Sequence, residues 1–252
     1  MAASEVKYIH TENIHNTNAA EEVVPYLIEL LQPKSVVDVG CGLATWLKVF
    51  NDNGIQEILG IDGSYVKKTM LRIDEQHYIE HDLETPYRTI KKFDLALSLE
   101  VAEHLKESSA DIFINTLTDL SDVIIFSAAI ENQGGQNHLN EQNPEYWISK
   151  FEQRGYQCMD ILRPVFWNND KVECWYRQNM FLYTNNAKLI ERLKDRSSFQ
   201  KLNVVHPKLL ELKQKSLQLC SNDVIKIKEG RKNIKFYLNI LRIAIKNGVS
   251  NK

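Results

Sequence analysis

This 252-residue sequence predicts an α/β fold: a mostly parallel sheet covered by helices on both faces, followed by a helical C-terminal extension. Three observations carry that expectation. Short, nearly uninterrupted β-branched runs alternate with amphipathic segments up to residue 186, and such runs are typical of strands buried on both faces. Glycines and carboxylates recur where those runs end. Strand signals then stop near residue 187, where the charge changes sign: residues 1–186 hold 15 Lys and Arg against 28 Asp and Glu, and residues 187–252 hold 16 against 5. The net charge of −2 therefore hides an acidic domain (1–186) joined to a basic helical extension (187–252).

Each element has a local reason. Residues 18–31 place Val23, Val24, Leu27, Ile28, Leu30 and Leu31 at helical spacing ahead of Pro33. A strand at 35–39 runs into Gly40, a helix follows at 44–50, and Asn53 and Gly54 make a turn. Next come a strand at 57–61, a short helix around 65–70, strands at 77–80 and 93–98, a helix at 104–120 and a strand at 122–127. The polar loop 130–143 leads to a helix at 144–154, a strand near 156–162, an aromatic-rich insertion and a last strand at 179–183. In the extension, Leu189, Ile190 and Leu193, and later Leu209, Leu210 and Leu212, form apolar stripes broken at Pro207 and Gly230.

Composition removes several classes of protein. Charged residues at 25%, with 10 Gly and 6 Pro, are those of an ordinary soluble domain and exclude collagen-like or wholly disordered chains. Residues 1–12 lack the apolar run of a secretory signal, so a cytoplasmic location is expected. The apolar stretch 234–245 is interrupted by Lys235 and Arg242, short of the roughly 18 uncharged residues a membrane span needs. Cys41, Cys158, Cys174 and Cys220 include no C-x-x-C pair, so neither a zinc cage nor a redox dithiol is expected, and no metal site is assigned.

The strongest motif is the strand 36–39 running through Asp38 into Gly40 and Gly42 and then a helix. Glycines there let the backbone approach a ligand, and open sheets bind ligands beyond the carboxyl ends of their strands. A tight turn would look the same, and Thr45 stands where the dinucleotide fingerprint has its third glycine. Asp62 ends the second strand 20 residues after Gly42, the offset of about 20 at which an acid reaches ribose hydroxyls. Asp82 and Leu83 follow the third strand, where a carboxylate can accept from an adenine amino group.

Together these residues resemble the class I S-adenosylmethionine-dependent methyltransferases over residues 19–186. Asp38, Gly40 and Gly42 look like the family's first motif, Asp62 its ribose acid, His81, Asp82 and Leu83 its adenine segment, and Ser98, Leu99 and Glu100 its motif after strand four. The resemblance implies a Rossmann-like, three-layer methyltransferase fold with a seven-stranded sheet whose last strand is antiparallel. It also implies S-adenosyl-L-methionine as cofactor, with S-adenosyl-L-homocysteine as product, held by Asp38, Gly40, Gly42, Asp62, Asp82, Leu83 and Glu100.

The loop 130–143 puts one imidazole and several amides at the edge where the methyl group would sit. His138 is the candidate general base, since a free imidazole titrates near neutrality; the alternative is that it caps the next helix or orders the loop. Glu141 either orients His138 or binds acceptor hydroxyls, or else, as a carboxylate at a helix N-terminus, merely favours the dipole. The run from Gly134 to Gln142, with Pro144 to Trp147, resembles a loop of bacterial methyltransferases of capsule, lipopolysaccharide and other glycan biosynthesis. That resemblance implies O-methylation of a sugar or a sugar-linked phosphate-type group, with Asn137, Asn140 and Gln142 as hydroxyl partners. Asn143 departs from it, since an aromatic is common there.

Glu100, Glu103 and His104 read as cofactor-shell or structural residues ahead of a catalytic role, and adjacent Glu and His alone make no convincing metal shell. His77 and His81 receive no role. The aromatic and charged stretch 166–177 reads either as a lid over the acceptor or as an insertion packed on the core. The basic amphipathic segment 234–245 suits either an anionic membrane surface or docking on the domain or on a second copy in a homo-oligomer, whereas no nucleic-acid partner is expected. Competing functions are a small-molecule or protein methyltransferase outside glycan metabolism, and a non-catalytic scaffold acting through the basic tail.

Overall fold

The computed structural model describes residues 16–197 and 202–250. The chain divides into two compact units, Met1–His206 and Pro207–Lys252. The first therefore extends past residue 186, the boundary suggested by the charge reversal. The helix Ala187–Leu193 belongs to this unit because Leu189 and Leu193 are buried in its core.

The first unit is built on seven strands: β1 (Ser35–Val39), β2 (Glu57–Asp62), β3 (Tyr78–Glu80), β4 (Leu95–Leu99), β5 (Val123–Ser127), β6 (Gln157–Met159) and β7 (Phe181–Thr184). They lie in the order β3-β2-β1-β4-β5-β7-β6. The pairs from β3 through β5 are parallel, and β7 is antiparallel to both neighbours, as expected for the last strand. Helices α1 (Asn18–Leu31), α2 (Thr45–Asp52), α3 (Ala110–Leu120), α4 (Pro144–Glu152), α5 (Arg163–Phe166), α6 (Cys174–Asn179) and α7 (Ala187–Leu193) flank or connect the strands.

Alternate side chains along each strand feed two cores, one on each face of the sheet. Val36, Leu95, Leu97, Ile125 and Leu182 join the buried residues of α1 and α2, including Leu27, Leu47 and Phe50. Val37, Ala96, Ile124, Phe126 and Phe181 join those of α3 and α4, including Phe113, Leu117 and Phe151. Helix α1 covers residues 18–31, as its periodicity predicts, and stops where Gln32 turns left-handed (φ 50°) and its N–H bonds the Ile28 carbonyl just before Pro33.

Two expected helices are corrected. The segment expected to be helical over 104–120 begins as 3-10 turns, Ala102–His104 and Glu107–Ser109, and becomes α-helical only at Ala110. The Glu103 carbonyl accepts from the N–H groups of Leu139 (2.7 Å) and Asn140 (3.0 Å), so the 130–143 loop takes a bond that a helix would otherwise make. The short helix around 65–70 shrinks to a 3-10 turn, Lys68–Met70, because the backbone bonds there, Val66 N–H to the Gly63 carbonyl at 3.2 Å and Met70 N–H to the Lys67 carbonyl at 2.8 Å, span three residues instead of four.

The second unit consists of α8 (Pro207–Lys228) and α9 (Ile234–Ser250). Between them, Lys232 pairs with Asp223 at 2.9 Å and the Tyr237 hydroxyl donates to the Ile227 carbonyl at 3.0 Å. In α9, Ile234, Leu238, Leu241 and Ile245 are exposed, and among the described residues no helix is long and apolar enough to cross a membrane.

Candidate active site

The parallel strands all end at one sheet edge, and the sequence places its polar residues there. Beyond β1, Gly40 adopts φ +86° and its N–H bonds the Ile61 carbonyl of β2 at 2.7 Å. A Cβ at Gly40 would lie 2.4 Å from a Val101 methyl, so the turn needs glycine both for its backbone angle and for space. Gly42 and Ala44 are also left-handed, and α2 starts at Thr45.

Asp62, at the end of β2, is 2% exposed and joins the two strand ends. Its Oδ2 accepts from the Gly42 N–H at 2.6 Å, and its Oδ1 accepts from the Gly63 N–H at 2.6 Å and from the Tyr65 hydroxyl. Burial pushes its carboxyl above the usual range, opposed by these three bonds. Asp38 is buried beside it, and burial together with the Asp62 charge pushes it up to about 8. Two crowded carboxyls suit a positively charged ligand, whose charge favours their ionised forms.

Asp82 lies beyond β3, exposed, and accepts from the Glu84 N–H at 3.0 Å, while Leu83 is buried in the core of the α3 face. Residue 100 follows β4 with φ +55°, a conformation disfavoured for glutamate. Its N–H bonds the Ser127 carbonyl at the end of β5, its Oε2 accepts from Gln133 at 2.8 Å, and its Oε1 accepts from Asn179 at 3.1 Å. Burial raises the Glu100 carboxyl, against the bonds from Asn179, Gln133 and Ser127.

Asn179 reaches this edge because β7 runs antiparallel, so its beginning meets the ends of the other strands. Its amide also donates to Gln133 Oε1 at 2.9 Å, and Gln178 donates to Asn179 Oδ1 at 2.9 Å. Gln133, Gln178 and Asn179 were not singled out from the sequence. A buried amide looks ordinary in one dimension, and only the reversal of the last strand brings Asn179 to Glu100.

The loop after β5 carries the catalytic candidates. His138 Nδ1 and Glu141 Oε1 are 2.7 Å apart, and the Gly134 N–H also donates to that oxygen. Glu141 therefore holds the imidazole, one of its expected roles, and the bonds among His138, Glu141 and Gly134 also tie the loop, the alternative to a base for His138. Asn143, not His138, stands at the N-terminal cap position of α4, without a side-chain cap bond. A Cβ at Gly135 would meet His138 Nε2 at 2.1 Å, so only glycine lets the ring take this position. Asn140 is buried and bonded to Gln142 at 2.8 Å, so the two expected hydroxyl partners engage each other.

The rings of His104 and His138 meet edge to face, with centroids 4.9 Å apart. Burial and the neighbouring His138 push His104 down to about 4, so it is neutral at physiological pH. Glu103 is 1% exposed, and burial and the charge of Glu100 hold its carboxyl well above the usual range. Glu103, His104 and His138 each bring one potential metal-ligating atom within 4.8 Å of the others, a grouping not expected from the sequence. The stretch 166–177 packs on the body: Arg177 is buried, and Tyr176 sits edge to face on Trp46 at 5.4 Å.

No curated protein matches the chain. Among solved structures, the methyltransferase domain of the bacterial protein CtHen1 is 20% identical over 68% of this chain and 98% of its own, with a TM-score of 0.49. Streptomyces venezuelae DesVI is 11% identical over 67% of this chain and 91% of its own, with a TM-score of 0.49. The glycopeptide N-methyltransferase MtfA, solved with sinefungin, is 10% identical over 73% and 97%, again with a TM-score of 0.49. These likenesses are distant. The model of one family, described as a methyltransferase domain, matches residues 12–143, just over half of the chain. With a glycine turn and acidic strand ends at the carboxyl edge of a seven-stranded sheet, the chain belongs to that methyltransferase-domain family.

Proposed function

We propose that this methyltransferase, with S-adenosyl-L-methionine as its methyl donor, methylates a hydroxyl of a sugar, or of a sugar- or nucleotide-linked phosphate-type group, in surface-glycan biosynthesis. The observation that carries the reading is the pairing of His138 with Glu141, on the same loop as the Gln133 that binds Glu100. An imidazole held by a carboxylate, on a loop bonded to Glu100, supports a base near the residues proposed to bind the cofactor. The resemblance of the 134–147 segment to glycan methyltransferase loops supports the acceptor class.

When bound, the cofactor supplies an electrophilic methyl group on a sulfonium centre. Asp38 and Asp62 suit its positive charge, and Asp62 keeps acceptor capacity for ribose hydroxyls beside its protein donors. Glu100, fixed by Gln133 and Asn179, shapes the wall between the cofactor and the acceptor. Glu141 accepts from Nδ1–H of His138 and leaves Nε2 as the nitrogen with a lone pair, ready to take the acceptor's hydroxyl proton as the oxygen bonds to the methyl carbon. The expected location is cytoplasmic, and the apolar residues exposed on α9, whose charges are all basic, support contact with the inner face of a membrane.

The test is transfer of labelled methyl to nucleotide-sugar and phosphorylated-sugar acceptors by the wild type and His138→Ala. Loss of general base catalysis lowers turnover by about 10²–10⁴, with cofactor binding retained. Unchanged turnover in His138→Ala contradicts the base role, and transfer only to acceptors without hydroxyl or phosphate groups contradicts the substrate class.

A further inference from the structure

We propose that Glu103, His104 and His138 form a binding site for a divalent transition-metal ion beside the methyl-transfer edge. The inference rests on the methyl-transfer reading only for what the ion would serve, and it changes the part that His138 plays.

Buried carboxylates are normally paired or fully hydrogen-bonded. Glu103 is 1% exposed, and no side chain among the described residues pairs with either carboxylate oxygen, the backbone groups of Glu103 and Ala129 being the donors that act on it. The backbone of the same residue is well satisfied, its carbonyl accepting from Leu139 and Asn140. The local chain is thus anchored while its carboxyl group has no charged side-chain partner among the described residues, which is the place a cation would take. Two imidazoles stand beside it, and the ligating atoms of all three residues lie within 4.8 Å of one another.

The donor set specifies the kind of ion. Two imidazoles and one carboxylate suit Zn²⁺, Mn²⁺, Fe²⁺ or Co²⁺ better than Mg²⁺ or Ca²⁺, which favour oxygen ligands. Metal-bound histidines typically have the other ring nitrogen held by a carboxylate or a backbone carbonyl. Here Glu141 holds His138 Nδ1 at 2.7 Å, and the Asn137 carbonyl lies 3.4 Å from His104 Nδ1. Bonds of about 2.0–2.2 Å put ligand atoms no more than about 4.4 Å apart, so the group must tighten slightly around an ion.

Three protein ligands leave coordination positions open, and a hydroxyl or phosphate oxygen of the acceptor is the chemistry that would fill them. With an ion in place, His138 is a ligand and a positioning residue for the acceptor oxygen, and it no longer serves as a free base.

The test is calorimetric titration of the full-length chain, stripped with chelator, with Zn²⁺ and with Mn²⁺, in the absence of acceptor. The expected result is one ion per chain with micromolar or tighter affinity, weakened at least tenfold in Glu103→Gln and in His138→Ala. Because burial and the charge of Glu100 favour the uncharged form of the Glu103 carboxyl, the neutral Glu103→Gln is expected to fold, and its thermal melt checks this. Visible absorption of the Co²⁺-loaded protein gives a second readout, with bands characteristic of histidine ligation that disappear in both variants. Absence of binding, or binding within twofold of wild type in both variants, overturns the proposal. Titration with S-adenosyl-L-methionine in parallel separates the two readings: cofactor binding without ion binding overturns the ion site alone, and ion binding without cofactor binding overturns the methyltransferase reading alone.

Discussion

Asp38→Asn removes one of the two carboxyls buried together at the ends of β1 and β2 while keeping the shape of the side chain. Asp38 has an ordinary value of 3.8 and is pushed up to about 8 in the fold, first by burial and then by the charge of Asp62. Between these two values the folded protein holds a proton that the unfolded chain has released. The contribution of Asp38 to stability is therefore greatest below about pH 4 and falls with rising pH, by about 1.4 kcal/mol per pH unit, until the native group ionises near pH 8. Asparagine has no such dependence, so the stability of the variant relative to wild type rises by roughly 3–4 kcal/mol from pH 5 to pH 8. Urea denaturation of both proteins at pH 5, 6, 7 and 8 without ligand measures the gap directly. A gap that does not change with pH would show that Asp38 is ionised throughout in the native state, and the crowding argument would fail. The same reasoning predicts that wild-type affinity for S-adenosyl-L-methionine rises with pH up to about 8, because the ligand's positive charge favours the ionised carboxyl, and that this rise is absent in Asp38→Asn.

Two further substitutions test the geometry of the edge. Gly40→Ala brings a Cβ to 2.4 Å from Val101 at a φ of +86°, which costs about 2–4 kcal/mol; the fall is measured by thermal unfolding, and Gly40→Ala combined with Val101→Ala recovers the steric part. Asn179→Leu removes the donor shared by Glu100 and Gln133, a loss of about 2–4 kcal/mol from two unpaired buried acceptors. Denaturation within about 0.5 kcal/mol of wild type would show that the network does not hold Glu100.

The core of this fold was legible because its signals are local. Helix α1 shows an apolar stripe ended by Pro33, and β1 is a β-branched run ended by a glycine that its packing against Val101 requires. Asp62 was recognisable from its distance to Gly42, since the strand-turn-helix-strand unit between them has a nearly fixed length. The pairing of His138 with Glu141 was readable for the same reason, as they lie three residues apart in one loop. What the one-dimensional pattern hides is convergence. Glu103, His138 and Asn179 come from three separate connections, and only the sheet order brings their loops to one edge. The break in the expected 104–120 helix has the same origin: a distant loop supplies the donors that claim the Glu103 carbonyl. Likewise, the charge reversal and the end of strand signals marked residue 187 as a boundary, while the burial of Leu189 and Leu193 keeps α7 in the first unit.

The most direct test of the account is calorimetric titration of the purified chain with S-adenosyl-L-methionine and S-adenosyl-L-homocysteine, for the wild type and for Asp62→Ala. Asp62 accepts from Gly42, Gly63 and Tyr65, so a circular dichroism spectrum and a thermal melt of the variant must first show that it is folded. Micromolar binding of both ligands to the wild type, lost or weakened at least tenfold in a folded Asp62→Ala, is the predicted result. No binding of either ligand to well-folded wild-type protein would contradict the assignment of the strand-end cluster as a methyl-donor site.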